Sequence, residues 1–314
     1  MKLSDLSIEE IRQHCLEGQK PVSAQILNKL RRDPRQGVRK LREVLKRRYE
    51  QERAERLRLQ NMLNFERVLW KSGIRTVAGV DEVGVGPLAG PVVAAAVVFP
   101  PNTELDGIDD SKQLEPEQRS KLAARIREYA TAIGVGSAEV GEIDRLNIYH
   151  AGLLAMRRAV EALPCAPEHV LVDARIIPGV SIPQNCFNKG DGINFSIAAA
   201  SIIAKTYRDR LMEDLEKEYP GYGFAQHKGY STPEHQNAIR ELGPCPIHRL
   251  SFQFIRELCG EFSELFYTLK QQLQEANTAD LRAFERKLPE RWSELDEREQ
   301  RKIRLMLSRR WKTV

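Results

Sequence analysis

The chain has 314 residues, 41% of them hydrophobic, and a formal charge of +5. That is enough apolar material for a buried core in one large or two smaller domains, and it excludes a disordered polymer. The longest uninterrupted apolar run, residues 92–99, stops at Pro100 and Pro101 and is far too short to cross a bilayer. Residues 1–13 mix acids and bases from the first turn onward and lack the plan of a secretory signal. Cys15, Cys165, Cys186, Cys245 and Cys259 form no C-x-x-C pair, and five is an odd number that suits reduced thiols. These features predict a globular, cytoplasmic protein, and the positive charge favours a polyanionic partner without identifying one.

In chain order, residues 1–70 read as a basic helical extension. Residues 29–58 hold 13 Lys or Arg against five Asp or Glu, with Leu41, Val44, Leu45, Leu57, Leu59 and Met62 at largely helical spacing. An α/β domain is predicted over residues 71–260. Its strands fall near residues 76–80, 92–98, 132–140 and 169–173, and the last is apolar enough to be buried on both faces. Helices are predicted at residues 115–130, 150–162 and 196–219. In the third, Ile197, Ala200, Ala204, Tyr207, Leu211 and Leu215 form a core-facing stripe. Residues 261–314 turn polar and helical again, with a second basic cluster over residues 298–312.

Acids gather at the ends of these core elements. Asp81 and Glu82 are adjacent at the end of the first strand, before the turn Gly84-Val85-Gly86-Pro87. Asp173 ends the run Val170-Leu171-Val172, and Asp191 lies in a tight turn ahead of the long helix. Any one of them is explained equally well as a turn or cap residue. Their conjunction, with no His or Cys beside them, suits hard cations, Mg²⁺ or Mn²⁺, and points to phosphoryl transfer.

The ordered motifs Val80-Asp81-Glu82-Val83-Gly84, Gly86-Pro87-Leu88-Ala89-Gly90-Pro91, Asp110-Ser111-Lys112, Leu171-Val172-Asp173-Ala174, Lys189-Gly190-Asp191, Ser196-Ile197-Ala198-Ala199-Ala200-Ser201-Ile202-Ile203-Ala204-Lys205, Arg208-Asp209, His227-Lys228-Gly229-Tyr230 and Pro246-Ile247-His248-Arg249 span residues 74–254. Together they resemble bacterial ribonuclease HII, and many motifs in order are more specific than any one. The resemblance implies a ribonuclease H-like mixed sheet flanked by helices, its first three strands antiparallel, here with helical N- and C-terminal extensions. It also implies an endonuclease that cuts the RNA strand of RNA–DNA hybrids, or DNA containing ribonucleotides, by a two-metal reaction leaving 5′-phosphate and 3′-hydroxyl ends. Asp81, Glu82, Asp173 and Asp191 correspond to the family's four catalytic, metal-binding acids.

The same comparison marks substrate contacts. Tyr230 resembles the family tyrosine that packs on the deoxyribose after the ribonucleotide, where an added 2′ oxygen would collide. Gly84, Val85 and Gly86 occupy the family's Gly-Arg-Gly segment, whose glycine backbones lie near the 2′ hydroxyl and whose arginine lies near phosphate. Here valine replaces that arginine. Lys112 and Lys189, and with them Lys228, Arg208 and Arg249, are candidates for phosphate or for ordinary surface charge. His227, His235 and His248 have no spacing that pairs them with a nucleophile.

Two other readings remain open at this stage. Gly84-Val85-Gly86-Pro87-Leu88-Ala89 satisfies G-x-G-x-x-A, the mark of a dinucleotide-binding oxidoreductase, but Gly90-Pro91 and a β-branched strand follow where that site needs a helix. A hybrid-binding protein with impaired catalysis is the second, although a binder gains nothing from four acids facing phosphate.

Overall fold

The computed structural model describes residues 6–311 apart from residues 14, 16–22, 104, 260 and 261. Residues 1–5, the expected boundary at residues 260–261 and Lys312 of the C-terminal basic cluster lie outside the described residues. In chain order the elements are α1 (Ile8–Arg12), α2 (Ala24–Arg31), α3 (Gln36–Met62), α4 (Asn64–Lys71), β1 (Val77–Val83), β2 (Val92–Val98), α5 (Pro116–Tyr129), β3 (Ala132–Ala138), α6 (Val140–Leu146), α7 (Ile148–Glu161), β4 (His169–Asp173), β5 (Gln184–Phe187), α8 (Phe195–Glu218), α9 (Phe224–His227), α10 (Pro233–Leu242), α11 (Gln253–Leu258), α12 (Glu264–Glu275), α13 (Thr278–Lys287) and α14 (Glu297–Trp311). Two compact units divide them. The first comprises residues 1–83, 92–137 and 152–208, and the second residues 84–91, 138–151 and 209–314.

The first unit is built on a five-stranded mixed sheet of order β3-β2-β1-β4-β5. β1 pairs antiparallel with β2, from Ala78 opposite Val98 to Val83 opposite Val93, and parallel with β4, from Val77 opposite His169 to Val80 opposite Val172. β5 extends the parallel part along β4. Every residue of β2 is buried, as a strand covered on both faces requires. Glycines let helices approach the sheet: a Cβ on Gly79 of β1 would meet the backbone of Ser196 and Ile197 in α8, and Cβ atoms on Gly134 and Gly136 of β3 would meet Ala159 and Ala155 of α7.

A shared core in this unit joins Val77, Ala95, Val97, Leu122, Ile126, Leu171, Phe195 and Ile203 to Leu59, Met62, Leu63 and Trp70 of the basic N-terminal stretch. Farther forward, Ile11, Cys15, Leu30, Val38, Leu41 and Leu45 close a small cluster of their own. Of the helical apolar set expected there, Val44 and Leu57 are exposed, so burial follows a narrower seam spaced by three and four residues.

Several boundaries differ from expectation for identifiable reasons. β1 runs on through Asp81 and Glu82 to Val83, because β2 supplies pairing partners at Ala95, Ala94 and Val93. β3 stops at Ala138, where Glu139 closes a capping box with Glu142 and starts α6. β5, with the sequence Gln-Asn-Cys-Phe, has no alternating pattern and is a strand because β4 offers it a backbone ladder. The stripe expected on α8 fails at Tyr207, which is exposed, while Ile197, Ala198, Ala199, Ala200, Ile202, Ile203 and Ala204 are all fully buried. The first turns of that helix are enclosed on every side, so no one-sided period can describe them.

Among the described residues, two apolar clusters fall in the second unit. One gathers Leu88, Ala89, Met212, Tyr222, Phe224, Ile239 and Ile255. The other, which includes Phe266, Leu269, Leu273, Leu281, Leu295, Ile303 and Leu307, forms the core of the C-terminal helices. No helix among the described residues is long and apolar enough to cross a membrane.

The close approach of β1 and α8 makes a first prediction. Gly79→Ala should lower stability by roughly 1–3 kcal/mol, the usual cost of overpacking a filled core. Urea unfolding of the two proteins measures this, and an unchanged midpoint would contradict the packing.

Candidate active site

β1 and β4 lie side by side in the sheet, and three of the four expected acids sit on them. One carboxylate oxygen from each of Asp81, Glu82 and Asp173 lies within 4.8 Å of the other two. Asp191 comes from a 3₁₀ turn, Gly190–Gly192, that the chain enters after β5. The Gly190 N–H donates to Asp173 Oδ1 at 2.7 Å, and Lys112 Nζ stands 3.3 Å from Asp191 Oδ2. Asp191 does not share the 4.8 Å cluster but is near enough to act electrostatically on both Asp81 and Asp173. Asp81 and Asp191 are only 4% and 6% exposed. Ala174 and Lys189, just past Asp173 and just before Asp191, hold φ of 60° and 57°, a left-handed backbone that non-glycine residues keep only where the surroundings impose it.

So much negative charge in so little water is unfavourable in the protein alone. Burial pushes the Asp81 carboxyl well above its ordinary range, with Glu82, Asp173 and Asp191 adding to the effect and a hydrogen bond from Ser201 opposing it. Burial, followed by the charge on Asp173, raises Glu82 to about 7 against the pull of Arg175 and Lys112. Asp173 is raised by burial too, with the Gly190 N–H opposing and Asp191 reinforcing. Glu82 Oε2 is buried and has no hydrogen-bond partner. Clustered oxygens with an unsatisfied lone pair are what a hard divalent cation requires, and no nitrogen or sulfur ligand stands among them to favour zinc. The residues therefore fit Mg²⁺ or Mn²⁺.

The remaining expected contacts divide between the units. Lys112, with a side chain 77% exposed, and Lys189, also exposed, belong to the first. Gly84, Val85, Gly86 and Tyr230 belong to the second, where a Cβ on Gly86 would sit 3.7 Å from the Tyr230 ring. Val85 and Tyr230 are each 41% exposed. Arg249 and Arg208 are fully buried, which removes both from the candidates for phosphate. Lys228 is turned to Glu213 and the Ala225 carbonyl, each within 2.7 Å. Residues 84–91 form no helix and so offer no helix N-terminus to a pyrophosphate.

Sequence reasoning missed the supports of this apparatus. Arg249 donates to the carbonyls of Gly84 at 2.6 Å, Val85 at 3.0 Å and Gly90 at 2.8 and 2.9 Å, fixing the course of the glycine segment. His248 and His235 form a relay. The Cys245 N–H donates to His248 Nδ1, which leaves the proton on Nε2 to reach His235 Nε2 at 3.1 Å, and His235 Nδ1 then donates to the Tyr230 carbonyl at 2.9 Å. Burial holds His235 and His248 down at about 4, so they carry no charge near neutrality and serve to place Tyr230. Ser201 was visible only as one small residue in a helix. Its partners, Asp81 and Ser111, come from other elements.

A mixed sheet that presents buried carboxylates from adjacent strands defines a metal-dependent nuclease of the ribonuclease H-like class. Comparison with known proteins makes this particular. The family model "Ribonuclease HII" matches residues 78–255, and "Ribonuclease HII N-terminal domain" matches residues 7–70. Ribonuclease HII of Myxococcus xanthus (strain DK1622) is 52% identical over 260 residues, 82% of this chain and 89% of that protein. Ribonuclease HII of Geobacillus thermodenitrificans (strain NG80-2) is 52% identical over 231 residues, 74% and 89% of the two chains. Among solved structures, ribonuclease H2 from Pyrococcus horikoshii OT3 is similar with a TM-score of 0.51 and 28% identity, over 58% of this chain and 96% of that one. The chain belongs to the ribonuclease HII family and is a ribonuclease H, an endonuclease of RNA–DNA hybrids.

The acid cluster has a pH signature. Carboxyls whose folded pKa is raised bind protons more tightly in the native state, so the cation-free protein loses stability as pH rises from 4.5, the ordinary glutamate value, through about 7. A bound cation offsets the repulsion where the acids are ionised. Added Mn²⁺ should raise the melting temperature more at about pH 8 than at about pH 5, as calorimetry would register. Equal shifts at the two pH values would contradict the electrostatic account.

Proposed function

We propose that Asp81, Glu82, Asp173 and Asp191 are the catalytic acids of this enzyme and hold two divalent cations, Mg²⁺ or Mn²⁺, against the scissile phosphate. The observation that carries this is the convergence of Asp81, Glu82 and Asp173 within 4.8 Å, with one Glu82 oxygen buried and unsatisfied. Bound there, divalent ions supply a water of lowered pKa and charge stabilisation at the departing 3′ oxygen. The chain's own residues do the rest. The Gly190 N–H and Lys112 steady Asp173 and Asp191, and Lys112 and Lys189 offer exposed positive charge to the substrate backbone. Gly84 and Gly86 present backbone without side chains to the ribonucleotide, and Tyr230 presents a ring face to the following deoxyribose. In this reading the enzyme serves the removal of ribonucleotides from DNA. Asp173→Asn, assayed on a hybrid with each cation, should abolish cutting, and full activity in that variant would refute the assignment.

Val85 sets the specificity in this reading. The exposed valine brings no charge to the segment where the resemblance places arginine beside phosphate. A charged hydrogen bond there is worth on the order of 1.5–3 kcal/mol, or about tenfold to a hundredfold. Val85→Arg should therefore speed incision at a single embedded ribonucleotide more than cutting within an RNA tract. The comparison needs one labelled duplex carrying both, and an equal gain at the two sites would remove Val85 from specificity.

The N-terminal stretch extends the footprint on nucleic acid through α3, where Arg39, Lys40, Arg47, Arg53 and Arg56 are exposed. Because Leu59 and Met62 belong to the core, truncation would confound binding with folding, and substitution of these bases is the cleaner measurement. Replacing all five by glutamine should flatten the dependence of affinity on salt, since each phosphate contact releases counterions. An unchanged slope would restrict the footprint to the other residues.

A further inference from the structure

Glu66 of α4 is fully buried, an expensive position for a carboxylate unless it answers a specific need. It accepts from the Ser196 N–H at 3.0 Å, from Ser196 Oγ at 2.8 Å and from Asn194 Nδ2 at 3.1 Å. These donors stand at the start of α8, where backbone N–H groups lack intrahelical partners and the helix dipole favours negative charge. Asn194 caps the same turn by accepting from the Ile197 N–H at 3.0 Å. Burial pushes the Glu66 pKa up, and the bonds from Ser196 and Asn194 oppose that shift.

From this cap a chain of bonds leads to the acids. The Asn194 N–H donates to the Gly190 carbonyl at 2.8 Å, and the Gly190 N–H donates to Asp173 Oδ1 at 2.7 Å, with Asp191 the next residue in the turn. The same N-terminal stretch braces Lys112. Glu55 accepts from the Gly107 N–H at 3.1 Å, Arg58 donates to the Ile108 carbonyl at 2.6 Å, and the chain then runs through Asp110 and Ser111 to the lysine beside Asp191. We infer that Glu66 is a positioning residue of the metal centre, through which the last helix of the N-terminal region sets the placement of Asp191 and Asp173. Fixed by Glu66, the first turn of α8 holds the Gly190–Gly192 turn at the spacing that cation binding requires.

This rests on the reading of the four acids as metal ligands, and the experiment separates the two. Mn²⁺ binding to the full chain is measured by loss of the free-ion electron paramagnetic resonance signal, in wild type, Glu66→Gln, Ser196→Ala and Asp173→Asn, with thermal melts to establish folding. Asp173→Asn should lose Mn²⁺ binding. Glu66→Gln should raise the Mn²⁺ dissociation constant by about tenfold, the low end for loss of a group that orients metal ligands. Its cleavage should recover as Mn²⁺ is raised, with KM for the hybrid unmoved. Ser196→Ala, which removes one of the bonds to Glu66, should show a smaller rise and decides the matter if Glu66→Gln does not fold. Wild-type Mn²⁺ affinity in the folded variants would overturn the positioning role, and wild-type affinity in Asp173→Asn would overturn the metal assignment itself.

Discussion

Repulsion among buried carboxylates is the constraint around which the first unit is organised. Asp81 and Glu82 emerge from the middle strand of the sheet, and Asp173 from the parallel strand beside it. They can be held together because β1 and β4 are fixed on both sides, by ladder bonds and by an apolar core that does not yield. The cost of their proximity appears as raised pKa values at Asp81, Glu82 and Asp173. The scaffold thus holds an electrostatic demand that a bound cation would relieve, which is the ordinary logic of functional sites with displaced pKa values.

That scaffold has several supports, and the helical N-terminal region is one. Leu59, Met62, Leu63 and Trp70 are part of the same core as the strands, and Glu66 sits at the start of α8. The basic residues of α3 face outward while its apolar seam faces in, so a single helix combines a charged surface with a structural brace. In the second unit Arg249 plays a comparable part, converting a glycine-rich segment that would otherwise be loose into one held by its carbonyls.

Three groups buried away from the acids are each matched to backbone. Arg249 answers carbonyls, His235 answers the Tyr230 carbonyl, and Glu66 answers N–H groups. Such groups are costly when unpaired and directional when paired, which suits them to fixing a segment in one place. Glu82 Oε2 is the exception at the acid cluster, and the exception falls where a ligand is expected.

The sequence alone determined the family and the α/β class, because motifs with fixed local chemistry survive being read in one dimension, and it singled out Asp81, Glu82 and Asp173, which the structure brings within 4.8 Å of one another. Strands β2 and β4 were legible for the same reason, since unbroken apolar runs report burial directly. Only the tertiary structure decided that β1 continues through Asp81 and Glu82, that Gln184–Phe187 forms β5, that Tyr207 points to solvent, and that Arg208 and Arg249 are buried. It also decided the pairing of Glu66 with residues 128 and 130 positions away. Ladder partners and buried hydrogen bonds are settled by which distant segments meet, and periodicity, a local property, does not encode that meeting.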